Sequence, residues 1–152
     1  LLELTGLNKL EVKFKRLIGI LSDKDLENRV LHAAKVIRDD AKSRAPIAKK
    51  GHWKKYGRGG GAMWVEPGSL RRAIIAKTFK GKSKEVPSAF AAIDYRIAPH
   101  AHLVEFGARG GQMPADPFFR PAIDSNRMHV VSIIKRGLQK TIKRETKKIG
   151  TR

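Results

Sequence analysis

The chain contains no cysteine, so it can form neither a disulfide framework nor a thiolate metal site. Acid is scarce. Fourteen Asp and Glu stand against 33 Lys and Arg in 152 residues, a formal net charge of +19. Aromatic residues make up only 7%. No apolar run approaches the roughly 20 residues that a membrane-spanning helix needs. The opening turn mixes Leu1 and Leu2 with Glu3 and shows no cleavage pattern, so no leader is expected. HExxH, a nucleophile elbow, Walker A and GxGxxG spacing are all missing. Glu105 with Asp94 or Asp116 could in principle hold magnesium, but nothing in their spacing marks an acid–base pair. A non-enzymatic chain without cofactor or metal is the expectation.

What is abundant is positive charge, and its distribution is uneven. Residues 1–44 carry ten basic and seven acidic side chains, 45–84 eleven and one, and 125–152 nine and one. Residues 85–124 reverse the balance with three basic and five acidic. A sequence pI near 10.7 favours an anionic partner such as nucleic acid. The acid-balanced island is also the aromatic, proline-set part of the chain. This segregation suggests one surface for a polyanion and another for protein.

The pattern predicts a single α+β domain. Leu7, Leu10, Phe14, Leu17, Ile18 and Leu21 fall at helical spacing within 1–21. A second helix over 22–44 follows, with Asp25 and Glu27 in its first turn and Leu26, Val30, Ala33, Ile37 and Ala41 as its apolar stripe. It should stop near Arg44, ahead of Pro46. Residues 47–68, with `GRGGG` at 57–61, read as a basic loop insertion. Within 69–124, `AIIAKTF` and `SAFAAIDYRI` read as strands of a small, mostly antiparallel sheet. The stretch 101–106 fits a helical turn or a short strand, and 112–121 an irregular packed arm. Residues 125–152 read as an amphipathic helix with a basic tail. Val131, Ile134, Leu138, Ile142 and Ile149 mark its apolar face, and Arg136, Lys140, Lys143, Arg144 and Lys147 lie opposite.

Two groups of residues stand out as candidate sites. In the first, Lys49, Lys50, Lys54, Lys55 and Arg58 interleave with His52, Trp53 and Tyr56. Cations neutralise phosphates and flat rings stack on bases or apolar surface, so this loop and the C-terminal stripe are the candidate nucleic-acid surfaces. Contacts of this kind carry no base information. The second group is the island. Pro114, Pro117 and Pro121 restrict the backbone around Phe118 and Phe119, and each ring either fills the monomer's own core or anchors a neighbouring subunit. Val104, Glu105, Phe106, Phe118, Phe119 and Arg120 are the candidate subunit interface. Arg120 is the natural cation for Glu105 in a segment this poor in them. His100 and His102 read as a partly buried, hydrogen-bonded pair rather than metal ligands.

The order helix, `RAPI`, Gly-Ser-Leu-Arg-Arg, strand, `HAHLVEFGA`, `PADPFFRPAI` resembles the neck and tail-completion proteins of long-tailed double-stranded DNA bacteriophages over most of residues 22–138. Its sharpest parts are Leu103-Val104-Glu105-Phe106-Gly107 and Pro117-Phe118-Phe119-Arg120-Pro121-Ala122. The chain departs from the family pattern between Ile47 and Pro67, where 21 residues intervene between motifs that usually lie close together. The resemblance implies a structural virion protein assembled in the host cytoplasm, with no enzymatic activity. It implies a homo-oligomeric ring, hexameric or dodecameric. Its neighbours would be the head connector or stopper, the tail terminator or tail-tube proteins, and the DNA in the channel, with no membrane. A ribosomal or nucleoid-type nucleic-acid-binding protein is the competing reading.

Overall fold

The computed structural model describes residues 24–55, 61–79, 87–108 and 113–150. The helix expected over 1–21, and Arg58 at the loop tip, lie outside them. In chain order the elements are helix α1 (Lys24–Arg44), strands β1 (His52–Lys55) and β2 (Ala62–Val65), the one-turn helix α2 (Ser69–Ala73), strands β3 (Ile74–Phe79) and β4 (Ser88–Ile93), the short helix α3 (Ala101–Phe106) and the long helix α4 (Phe119–Gly150). The strands form two separate two-stranded antiparallel sheets, β1–β2 and β3–β4. The fold is mixed α+β, as the sequence pattern indicates. The chain groups into two compact units. One comprises Lys35–Ala76 and Ala91–Met128; the other takes the first half of α1, the ends of β3 and β4 beyond those limits, and α4 from His129 onward.

α1 matches its expected stripe. Leu26, Ala33 and Ala41 are buried, and Val30 and Ile37 are half-buried. It ends at Arg44, where the following Pro46 disfavours helical geometry at Ala45. The freed carbonyls at this end are taken up by one side chain. Arg71 Nε donates to the Ala45 carbonyl at 3.0 Å and its Nη2 to that of Ser43 at 3.3 Å. The turn that presents Arg71 needs Gly68, whose φ of 75° is left-handed, and puts Leu70 into the core.

Residues 47–68 are not the loop that their glycine content suggests. They fold into a hairpin in which His52, Trp53, Lys54 and Lys55 pair with Val65, Trp64, Met63 and Ala62. Cross-strand partners Trp53 and Trp64 meet edge-on with centroids 5.6 Å apart, the kind of aromatic pair that stabilises a short ribbon.

The core of the first unit is lined by alanine. Ala41, Ala45, Ala73, Ala98, Ala101 and Ala122 are packed with Leu70, Ile74 and Val104 around Phe118, which is fully buried. Small side chains let the backbones of α1, α3 and α4 approach closely, so one large ring fills the space they leave. Phe118 is therefore a core residue of the monomer, one of the two roles its sequence allowed. Phe119 packs against the cluster but remains half-buried.

In the other unit, the buried line of α4 runs through Gly137 and Thr141 rather than through Val131 and Ile142, both of which are exposed. The helix is rotated from its expected facing because Gly137 admits Arg29 of α1. A Cβ at 137 would lie 2.3 Å from Arg29 Cδ. Periodicity scored on apolar residues misses a contact made through a missing side chain.

Truncating Phe118 in an alanine-lined core leaves a cavity that its neighbours cannot fill. Phe118→Ala is expected to lower stability by about 3–5 kcal/mol, and Phe119→Ala by less than half as much. Urea unfolding of the two variants measures both.

Candidate functional site

The site forms where α3 meets the start of α4. Successive residues on a helix turn by 100°, so `VEFG` sends three side chains to different places. Val104 enters the core, Glu105 is 6% exposed and faces the start of α4, and Phe106 is 65% exposed. Gly107 ends α3 with φ 77°, its N–H donating to the Leu103 carbonyl at 2.9 Å. Any Cβ there would lie 2.9 Å from the Met113 carbonyl oxygen, so both conformation and space call for glycine. The arm then runs back alongside α3. Ala108 N–H donates to Met113 O at 3.0 Å and Asp116 N–H to Val104 O at 2.8 Å.

Glu105 caps α4. Its Oε2 accepts the backbone N–H groups of Phe118 and Phe119 at 3.0 and 2.9 Å, and its Oε1 that of Arg120 at 2.9 Å. The first four N–H groups of an α-helix lack intrahelical partners. Here three are held by one carboxylate and the fourth position is Pro121, which has none. A negative charge at a helix N-terminus also meets the positive end of the helix dipole. This explains why α4 starts at Phe119, six residues before the expected 125, and takes in the `FFRP` part of the arm. Burial alone would push the Glu105 carboxyl up, but the amides of Phe119, Arg120 and Phe118, helped by the Arg120 charge, hold it below the usual range.

Sequence allowed Glu105 to pair with Arg120 within the subunit or across a ring; within the subunit, this backbone cap takes the place of that pairing. The Arg120 guanidinium instead lies 4.8 Å from the centroid of the Phe106 ring, a cation–π contact. Arg120 and Phe106 thus form an exposed patch mounted on a buried carboxylate. Of the six candidate interface residues, Val104, Glu105 and Phe118 are buried within the subunit, Phe119 is half-buried, and Phe106 and Arg120 are presented outward.

The other candidates fall on two elements. Lys49 and Lys50 are exposed before the hairpin, and Lys54 and Lys55 lie in β1. Arg136, Lys140, Lys143, Arg144 and Lys147 are all exposed on α4; Arg136 donates to Ser132 Oγ at 3.1 Å and Arg144 comes within 3.9 Å of Asp25. The histidines separate, His100 buried and His102 exposed, with the Tyr95 ring 6.5 Å from that of His102. Both oxygens of Glu105 are engaged by amides and Asp94 pairs with Arg96 at 3.2 Å, so both carboxylates serve the structure.

Two roles were missed. Arg71 as the cap of α1 could not be read from a doublet of arginines. Asp40 ties α1 to α4: Arg44 Nε donates to its Oδ1 at 3.0 Å, and Ser125 Oγ and Asn126 Nδ2 donate to Oδ2. The Arg44 bond holds its carboxyl low against burial, with Ser125 and Asn126 assisting. Its partners on α4 lie more than 80 residues away, beyond any local pattern.

Glu105 has its pKa depressed from 4.5 in the folded chain. Its stabilising effect is complete above that unfolded value and is lost as pH falls through the lower folded one. Glu105→Gln keeps the shape but removes the charge, and is expected to cost about 1–3 kcal/mol at pH 7. The gap to the wild type should narrow as pH drops below 4.5, which chemical denaturation across pH 2–7 measures. A gap that stays constant would mean the charge is not what holds the cap.

The chain matches no curated protein and no solved structure. It does match the family model described as "Bacteriophage HK97-gp10, putative tail-component" over residues 8–107. The matched span runs through α1, the hairpin, Arg71 and the `VEFG` turn; the arm and α4 follow it. A match over well over half of the sequence decides membership: this chain belongs to the HK97-gp10-like family of bacteriophage tail components.

Proposed function

We propose that this tail component is a structural subunit of the joint between phage head and tail. Copies assemble as a hexameric or dodecameric ring, with the connector or stopper on one side and the tail terminator or tail tube on the other. The ring surrounds the path of double-stranded DNA and catalyses nothing. The observation that carries this reading is the rigid mounting of Phe106 and Arg120. An aromatic side chain 65% exposed and fixed beside a guanidinium is the kind of pair that anchors protein–protein contacts, and its Phe106 lies at the end of the span that the family match covers. The five cations of α4 form the second surface, which we assign to the DNA path. Repeated around a ring, they make a positive collar indifferent to sequence.

A nucleoid-type protein would share the charge but not the assembly. Native mass spectrometry of the purified chain without nucleic acid separates them: a closed ring is expected, and a monomer that multimerises only along DNA would favour the nucleoid reading. Phe106→Ala should raise the concentration needed for the ring at least tenfold while leaving thermal unfolding unchanged. For the second surface, five phosphate contacts give a log–log slope of DNA affinity against salt of about −4 to −5. Replacing Arg136, Lys140, Lys143, Arg144 and Lys147 by Gln should abolish that slope and leave the ring intact. A slope unchanged by the replacement would take α4 off the DNA path.

A further inference from the structure

The hairpin β1–β2 carries an apolar face that nothing among the described residues covers. Trp53 and Trp64 are 68% and 46% exposed. By strand alternation they share a face with Ala62, while Val65 on the other face is buried. The Trp64 ring lies across Gly51; a Cβ at that position would come within 2.4 Å of it. The tryptophan pair is thus seated at the root of the hairpin and set in orientation while its outer side stays open. Around it, residues 47–65 hold five cations and no acid.

A second uncovered surface lies in the same unit, and its charge is opposite. Most described carboxylates there have a partner: Asp39 with Arg38, Asp40 with Arg44, Glu66 with Arg72, Asp94 with Arg96, and Glu105 with its three amides. Asp116 and Asp124 do not. Both are exposed and, among the described residues, neither side chain makes an ion pair or hydrogen bond. In a chain of net +19 this is unexpected, since cations are everywhere available. They flank the Phe106 patch. Asp116 is bonded through its N–H to Val104, and Asp124 with the exposed Ile123 lies one helical turn beyond Arg120.

We infer that the hairpin of one copy docks on the Phe106–Ile123 surface of the next, with Trp53 and Trp64 against the apolar side chains and Lys49 and Lys50 meeting Asp116 and Asp124. This rests on the ring reading above and specifies its contact. The two surfaces differ, so the contact is head-to-tail, the type that closes into a ring when the rotation permits. It also gives the 21-residue insertion a role, because the hairpin becomes the arm that each subunit extends to its neighbour. The hairpin cations then face protein carboxylates, and α4 is left to face DNA.

The absence of cysteine makes the test direct. Ala62→Cys and Ala115→Cys lie on the two proposed faces, both exposed, and neither removes an anchor. In a chain carrying both, mild oxidation should yield a ladder of covalent multimers up to ring size, while each single variant stops at a dimer or remains a monomer. Lys49→Glu with Lys50→Glu should shift assembly at least tenfold to higher concentration. Asp116→Lys with Asp124→Lys should do the same, and all four changes together should recover most of the loss. A ring seen by native mass spectrometry without a ladder, and unaffected by the charge reversals, would refute the contact and leave the ring standing. Neither ring nor ladder would refute both. Assembly unchanged in the Lys49→Glu, Lys50→Glu variant together with lost affinity for duplex DNA would return the hairpin to the DNA path.

Discussion

The fold of the first unit depends on a buried carboxylate held by backbone amides rather than by a side-chain ion pair. Glu105 is surrounded by the orphan amides of a helix start, and those amides have no other acceptor. The dependence is mutual: without the carboxylate, α4 opens with three N–H groups buried or half-buried and unpaired; without the helix, a charge is left in an alanine-lined core. Buried polar groups are costly when unpaired, and this is what makes the arrangement specific. It fixes where α4 begins, delivers Phe118 to the core, and sets Arg120 over Phe106. The Gly107 turn and the backbone bonds of the arm keep the two partners in register.

A structural tail component has to present surfaces to its neighbours, and the organisation of this chain suits that. Among the described residues, Phe118 fills the core while Phe106, Trp53 and Trp64 stand in the open. Copies of a +19 subunit repel one another. Assembly therefore needs local acid at the contacts, an anion along the axis, or both, and should be helped by salt where protein contacts dominate. The two unpaired aspartates and the α4 cations fall on opposite sides of that division. In the proposed ring, DNA along the axis would neutralise the charge that protein contacts otherwise hold against repulsion.

Much of this was legible in the sequence, and the rest was not for definite reasons. α1, its acidic first turn and its stop before Pro46 follow from local periodicity and proline geometry. The two strands of the second sheet follow from composition and spacing. The α4 cations were identified because a nine-to-one charge imbalance needs no structure to be seen. The hairpin was hidden because lysine and glycine dominate it, while its stability comes from a cross-strand tryptophan pair whose register is non-local. The first turn of α4 was hidden because three prolines signal irregular chain, and only Glu105, 13 residues upstream, reverses that reading. For the same reason Glu105 was assigned the nearest cation in composition, Arg120, when its partners are backbone amides that sequence does not display. The facing of α4 was missed at Gly137, where the absence of a side chain makes the contact.

We propose a ring at the head–tail joint, with the patch carried by Glu105 at the contact between copies. Cryo-electron microscopy of the intact virion tests this most directly. The expected density is a single closed ring coaxial with the DNA, Phe106 and Arg120 buried between adjacent copies and α4 lining the channel side. Finding the chain elsewhere in the tail, or in a ring whose Phe106 faces solvent, would contradict it.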